Sequence, residues 1–106
     1  MTRLNHYQNR RKQFSPMTPN TLMTLALSNK HVINSYSLIG LIEDYSGGSI
    51  HLVGSHTWYI INRLKQQDYI KSEGRYFTIT ESGRHRLNQE IKILRYIYNS
   101  ARYLAS

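Results

Sequence analysis

The chain has 106 residues, 40% apolar and 19% charged, and its 14 Lys and Arg against 6 Asp and Glu give a net charge of +8. That length fills one hydrophobic core, and the absence of cysteine excludes disulfide frameworks, thiolate nucleophiles and cysteine-ligated zinc. No apolar run is long enough to cross a bilayer and residues 1–17 lack the apolar stretch of a secretory signal, so a soluble cytoplasmic protein is expected.

Residues 1–17 mix Asn, Gln, Arg and Tyr without helical or alternating spacing, which predicts a flexible basic arm where Arg3, Arg10, Arg11 and Lys12 meet no acid. Thr18-Pro19 opens a first helix: a hydroxyl can cap it, and a proline at the first helical position loses no needed N–H. Leu22, Leu25 and Ala26 share one face of this helix, which should end near Asn29. Ser35 is the expected cap of a second helix through Leu38, Ile39, Leu41 and Ile42, ended by Gly47-Gly48. Ile50-His51-Leu52 suits a brief edge strand.

A third helix, Ser55 to Gln67, is expected to bury Trp58, Ile61 and Leu64 and to stop at Asp68, a residue type that tolerates left-handed backbone. Its opposite side carries His56, Tyr59, Arg63 and Gln66 at steps of three, four and three, a single exposed row. Tyr69–Ser72 and Tyr76–Thr80 are β-rich runs around Glu73-Gly74-Arg75, a hairpin with glycine at the turn. Thr80, with Glu81 in the following turn, opens a last helix that continues almost to the end.

On that helix Leu87, Ile91, Leu94, Tyr98, Ala101 and Ala105 recur at steps of 4, 3, 4, 3 and 4, a heptad seam, and Ile93, Ile97 and Leu104 widen it. About 25 residues of helix, roughly 37 Å long, exceed what so short a chain can cover, and a homodimer built on this element is expected. Tyr36, Tyr69 and Tyr98 lie on predicted apolar faces and, with Trp58, are assigned to packing. Helix, helix, helix, hairpin and long helix make a winged helix-turn-helix. The expected fold is mainly α (α+β), with a two- to three-stranded wing in a domain over residues 18–84 and a dimerisation helix over 81–106.

Three stretches resemble the PadR family. Residues 22–36, from Leu22 to Tyr36, resemble its leucine-rich first helix, short turn and tyrosine opening helix two, with Lys30-His31-Val32 in place of the usual Gly-Pro turn. Trp58, Ile61, Leu64 and Asp68-Tyr69-Ile70 look like its aromatic-x-x-Leu-x-x-Leu-x-x-x-Gly-Leu-Ile recognition helix and exit, with Asp68 in place of the usual Gly and Trp58 in place of Tyr. Tyr76 to Arg84 is similar to the Thr-x-x-Gly-Arg stretch after the wing in PadR and MarR regulators. The resemblance implies a cytoplasmic transcriptional regulator, usually a repressor, that dimerises through its last helix. In compact relatives it also implies flat aromatic ligands between subunits, a setting in which Tyr96 and Tyr103 would line the cavity; no other feature supports a small-molecule effector.

Charge and helix geometry point to double-stranded DNA. A basic excess in the arm and around the third helix is what a polyanion surface requires, since each neutralised phosphate releases condensed counterion. The third helix fits a major groove, with His56, Tyr59, Asn62, Arg63 and Gln66 toward base edges and adjacent phosphates; Arg63 suits bidentate pairing with guanine or a phosphate contact. Ser55 and Thr57 near the helix start, with Lys71 and Arg75 on the wing, would hold the backbone. Arg10, Arg11 and Lys12 either follow phosphates or a narrow minor groove, or serve only solubility.

The five histidines, His6, His31, His51, His56 and His85, have no metal-ligand spacing on a shared helix, so no metal or cofactor is expected. Glu43 and Asp44 are neighbours about 100° apart on a helix and cannot converge as an acid–base pair; with no phosphate loop or nucleophile elbow, an enzyme is not expected. The same residues would also serve a plasmid or viral partition or architectural DNA-binding protein, and a winged helix-turn-helix can instead be a protein-interaction module that binds an acidic partner.

Overall fold

The computed structural model describes residues 15–106; Arg10, Arg11 and Lys12 lie outside them. Helix α1, Pro19–Lys30, starts as its sequence dictates, with the Thr18 hydroxyl accepting from the Thr21 N–H at 3.3 Å. Helix α2, Ser35–Tyr45, is capped by Asn34 and not by Ser35. The Asn34 side chain accepts from the Tyr36 and Ser37 N–H groups, and the Ser37 hydroxyl accepts from the Asn34 N–H, a reciprocal box that leaves Ser35 as the first helical residue. Tyr36 consequently turns to solvent, 89% exposed, and is not a packing residue. Gly47 and Gly48, with φ of +63° and +79°, carry the chain out of α2.

Residues 50–52 form no strand. Leu52 is buried and Ile50 packs on the core, so this segment fills space in place of pairing. The third sheet position goes to Ile33, in the turn between α1 and α2, which exchanges two hydrogen bonds with Phe77 at 3.0 and 2.8 Å. Strands β1, Ile70–Glu73, and β2, Tyr76–Ile79, are antiparallel, with Ile70 opposite Ile79 and Glu73 opposite Tyr76. Gly74, at φ +63°, makes the tight turn between them.

Helix α3, Gly54–Gln66, buries Thr57, Ile60, Ile61 and Leu64, and Asp68 ends it at φ 65°. Trp58, expected in the core, is 63% exposed. Helix α4, Glu81–Ala105, is capped by the Thr80 hydroxyl, which accepts from the Gly83 N–H at 2.9 Å and donates to the Asp68 carbonyl at 2.6 Å. One side chain thus ties the exit of α3 to the entry of α4. Where the start of α4 meets Tyr69, just before β1, a Cβ on Gly83 would run into the Tyr69 carbonyl oxygen, so only glycine permits this approach.

The core sits between α1, α2, α3 and the sheet, with Leu25, Ile33, Leu38, Ile42, Leu64 and Ile70 shielded almost completely. Each such side chain contributes about 1.5–3 kcal/mol by leaving water. Tyr69 packs against this core, half-buried. Helix α4 joins it through Leu87 and then leaves: no residue after Glu90 is buried, and Tyr98, placed on an apolar face by its spacing, is 62% exposed. The outcome is a winged helix, mainly α, with a rod that stretches its longest dimension to 49 Å.

Candidate nucleic-acid interface

Burying Thr57, Ile60, Ile61 and Leu64 fixes the rotation of α3, and at 100° per residue the side opposite carries Ser55, Tyr59, Asn62 and Gln66. Ser55, Tyr59 and Gln66 are exposed there. Asn62 is half-buried, and its amide nitrogen donates to the Trp58 carbonyl at 2.9 Å, so that donor is already engaged. Thr57 faces inward with no exposure, its hydroxyl donating to the Gly54 carbonyl at 2.7 Å. It is unavailable to a phosphate, which corrects the sequence expectation.

One flank of α3 is organised as a ladder. The His56 ring stacks on Tyr59 with centroids 6.4 Å apart and planes at 20°. The Tyr59 hydroxyl accepts from Arg63 Nη1 at 3.3 Å, and the guanidinium lies 5.9 Å from the Tyr59 ring centroid. These contacts hold Arg63 along the exposed flank and, among the described residues, leave most of its donors unused. The other flank carries Trp58 and, seven residues on, Lys65, whose ammonium sits 5.8 Å from the Phe77 ring of β2. Lys71 and Arg75 stand exposed on the wing, Arg75 at its turn. Among the described residues, none of Arg63, Lys65, Lys71 and Arg75 has a carboxylate at ion-pair distance.

A groove of about 660 Å³ runs beside the ladder. Its near wall is His56, Tyr59, Arg63 and Gln67; its far wall is Ser15 to Thr18 and the first turn of α1. Sequence reasoning missed what closes this groove at its base. Glu90 is 2% exposed; one carboxylate oxygen accepts from the Met17 N–H at 3.0 Å and the other from Arg86 Nε at 2.9 Å. Arg86 also donates to the Ser15 carbonyl at 2.7 Å and the Tyr69 hydroxyl at 3.2 Å, and its guanidinium lies against the Tyr69 ring. The i, i+4 spacing of Arg86 and Glu90 was visible as a helical ion pair, but only the fold reveals that both ends are covered.

A second groove, of about 330 Å³, is apolar and lies where Leu22, Met23 and Ala26 of α1 face Leu87, Ile91 and Leu94 of α4. Beyond it Ala101 and Ala105 lie exposed with Tyr98 along the free part of the rod, beside Ile97 and Leu104. The predicted seam residues therefore begin in the core at Leu87 and end in solvent. Among the described residues no three His, Asp or Glu side chains gather as a metal site requires, and no helix is long and apolar enough to cross a membrane.

An exposed helix flanked by a hairpin wing, with a rod rising from the far side, defines a winged-helix protein. No family model matches the chain, and no curated protein matches it. Among solved structures, the fold is shared with the crystal structure of Bacillus subtilis PadR, with a TM-score of 0.59 and 19% identity over 73% of this chain and 45% of that one. The chain thus spans less than half the length of that structure, and the likeness establishes the fold.

Proposed function

We propose that the protein is a dimeric, sequence-specific double-stranded DNA-binding protein that regulates transcription in the cytoplasm, in the manner of a repressor. The observation that carries this reading is the outer side of α3. Among the described residues, Ser55, His56, Tyr59, Arg63 and Gln66 are all exposed there, and Arg63 is steered along the flank by Tyr59 with no carboxylate at ion-pair distance. A B-form major groove admits such a helix, and its floor offers the acceptors that a guanidinium pairs with. Lys71 and Arg75 then meet phosphates from the wing and fix the register of the helix.

The homodimer is part of the proposal. A rod with Ile97, Tyr98 and Leu104 exposed stands next to an apolar groove between α1 and α4, and a second copy would cover both. Two α3 helices related by a two-fold axis would address a palindromic site, with half-sites about one helical turn or a multiple apart.

Titrating the protein onto duplex fragments, including the region upstream of its own gene, at several salt concentrations tests the reading. It predicts preference for one palindromic fragment and a steep loss of affinity with salt. Arg63→Ala should weaken the preferred fragment by about 1–3 kcal/mol and flatten the ranking of fragments. Equal binding to every fragment transfers the protein to the architectural class, and absence of duplex binding ends the reading.

A further inference from the structure

The spacing of His56, Tyr59 and Arg63 gives all three one task, contact with base edges and phosphates, but their geometry separates them. The Tyr59 hydroxyl accepts from Arg63 Nη1 at 3.3 Å, and the guanidinium lies 5.9 Å from the centroid of the same ring. That ring in turn stacks on His56, 6.4 Å away between centroids and 20° from parallel. All three side chains are exposed, and contacts between exposed neighbours on one helix add little to folding. Their effect falls on the freedom of Arg63.

A guanidinium on an open helix face ordinarily samples many rotamers and loses them on binding. At this position a hydrogen bond and a ring face select its place beforehand. Tyr59 engages one of the five guanidinium N–H groups, and among the described residues the others keep the two-donor fork that guanine O6 and N7 accept. Resting on the DNA reading above, we infer that Tyr59, braced by His56, is a positioning residue that orients Arg63 for bidentate contact with a guanine. A guanidinium without this hold would reach phosphates as readily as bases. Tyr59 therefore contributes to sequence choice through Arg63 and not through a base contact of its own.

The test uses the full chain and the tightest-binding fragment from the titration above, synthesised with single guanines replaced by 7-deazaguanine, which lacks the N7 acceptor. For the wild type, one such replacement per half-site should weaken binding about three- to tenfold. Tyr59→Phe removes the hydroxyl from an exposed site, and thermal melts verify that the chain still folds. It should weaken the unmodified fragment about two- to tenfold and shrink the 7-deazaguanine penalty toward none, while the salt slope stays as it was because no charge is lost. In an Arg63→Ala chain the same substitution should change nothing. His56→Ala should reduce the penalty in the same direction, and His56→Phe, which keeps a ring for Tyr59 to stack on, should restore it.

An equal loss from Tyr59→Phe with and without Arg63 would mean that Tyr59 touches DNA itself, and it would overturn the inference. So would a 7-deazaguanine penalty that survives Tyr59→Phe in full. A full penalty in His56→Ala would remove the bracing assigned to His56. Duplex binding by the wild type that is indifferent to N7 at every guanine overturns this inference and leaves the DNA reading in place; a wild-type chain that binds no duplex overturns both.

Discussion

Between Glu81 and Glu90, helix α4 buries Gly83, Leu87 and Glu90 and shares the Thr80 hydroxyl with the exit of α3; between Ile91 and Ala105 every residue of the same helix is exposed except half-buried Ile93. Both halves are helical, but different forces account for them. The first half is held by the domain, through a cap, a close crossing and an apolar contact. The second is about 15 residues long, a length at which an isolated helix is marginal in water, and it displays Leu94, Ile97 and Leu104 at 45%, 54% and 78% exposure. One half completes a fold that one chain can make, and the other is the part to which the proposed homodimer assigns a second chain.

The sharpest way to break this contrast is to strike the half that belongs to the domain. Gly83→Ala places a methyl group against the Tyr69 carbonyl and the Ile79 side chain, with backbone on one side that cannot yield. A loss of about 3 kcal/mol or more is expected, read as a collapse of the urea midpoint at every protein concentration. A smaller effect of another kind is expected from Ile97→Glu. It leaves the domain folded, since Ile97 touches no core, but it puts a carboxylate into the seam at a cost of about 2 kcal/mol or more. On the proposed assembly, sedimentation should find dimers of the unaltered chain and monomers of the variant, and the variant's melting temperature should not depend on protein concentration. A mutant that stays dimeric would detach the rod from assembly.

The least expected change sits at the boundary that α3 shares with α4. Asp68 holds φ at 65°, which costs a side-chain-bearing residue more than glycine. Its contribution to the Thr80 link comes from its carbonyl, which glycine also has. Asp68→Gly should therefore raise stability by about 0.5 kcal/mol, measurable as a small upward shift in the urea midpoint. A decrease would mean that the Asp68 side chain carries a role of its own.

Much of the fold was legible because its punctuation is local. Thr18-Pro19, Gly47-Gly48, Asp68, Gly74 and Thr80 act through their own backbone preferences or caps, and each ends or begins an element where the spacing placed it. The errors arose where a pattern had to be extrapolated through space. Trp58, Ile61 and Leu64 are spaced by three, and each step of three falls 60° short of a full turn, so Trp58 lies 120° from Leu64 around the helix. The stripe that is buried is Thr57, Ile60, Ile61 and Leu64, and its polar first member hid it. The third strand position was misassigned because it depends on which segment passes the free edge of β2, and Ile33 does so across more than forty residues of chain.

Within the candidate site, the His56, Tyr59, Arg63 and Gln66 row followed from helical geometry and is exposed as expected. The ladder joining its first three members could be suspected from their spacing, since residues three and four apart are neighbours. The role of Glu90 could not: an acid amid the seam reads as solvated until the Met17 N–H is found against it.

The chain contains a single tryptophan, and the fold leaves its indole uncovered on the helix of interest. The protein is therefore its own optical probe. Excited beyond the absorption of its nine tyrosines, the chain should emit from one site next to the proposed reading surface, at a red-shifted wavelength that reflects contact with water. A molecule that covers this edge of α3 will dim or shift that light without any dye, tag or substitution.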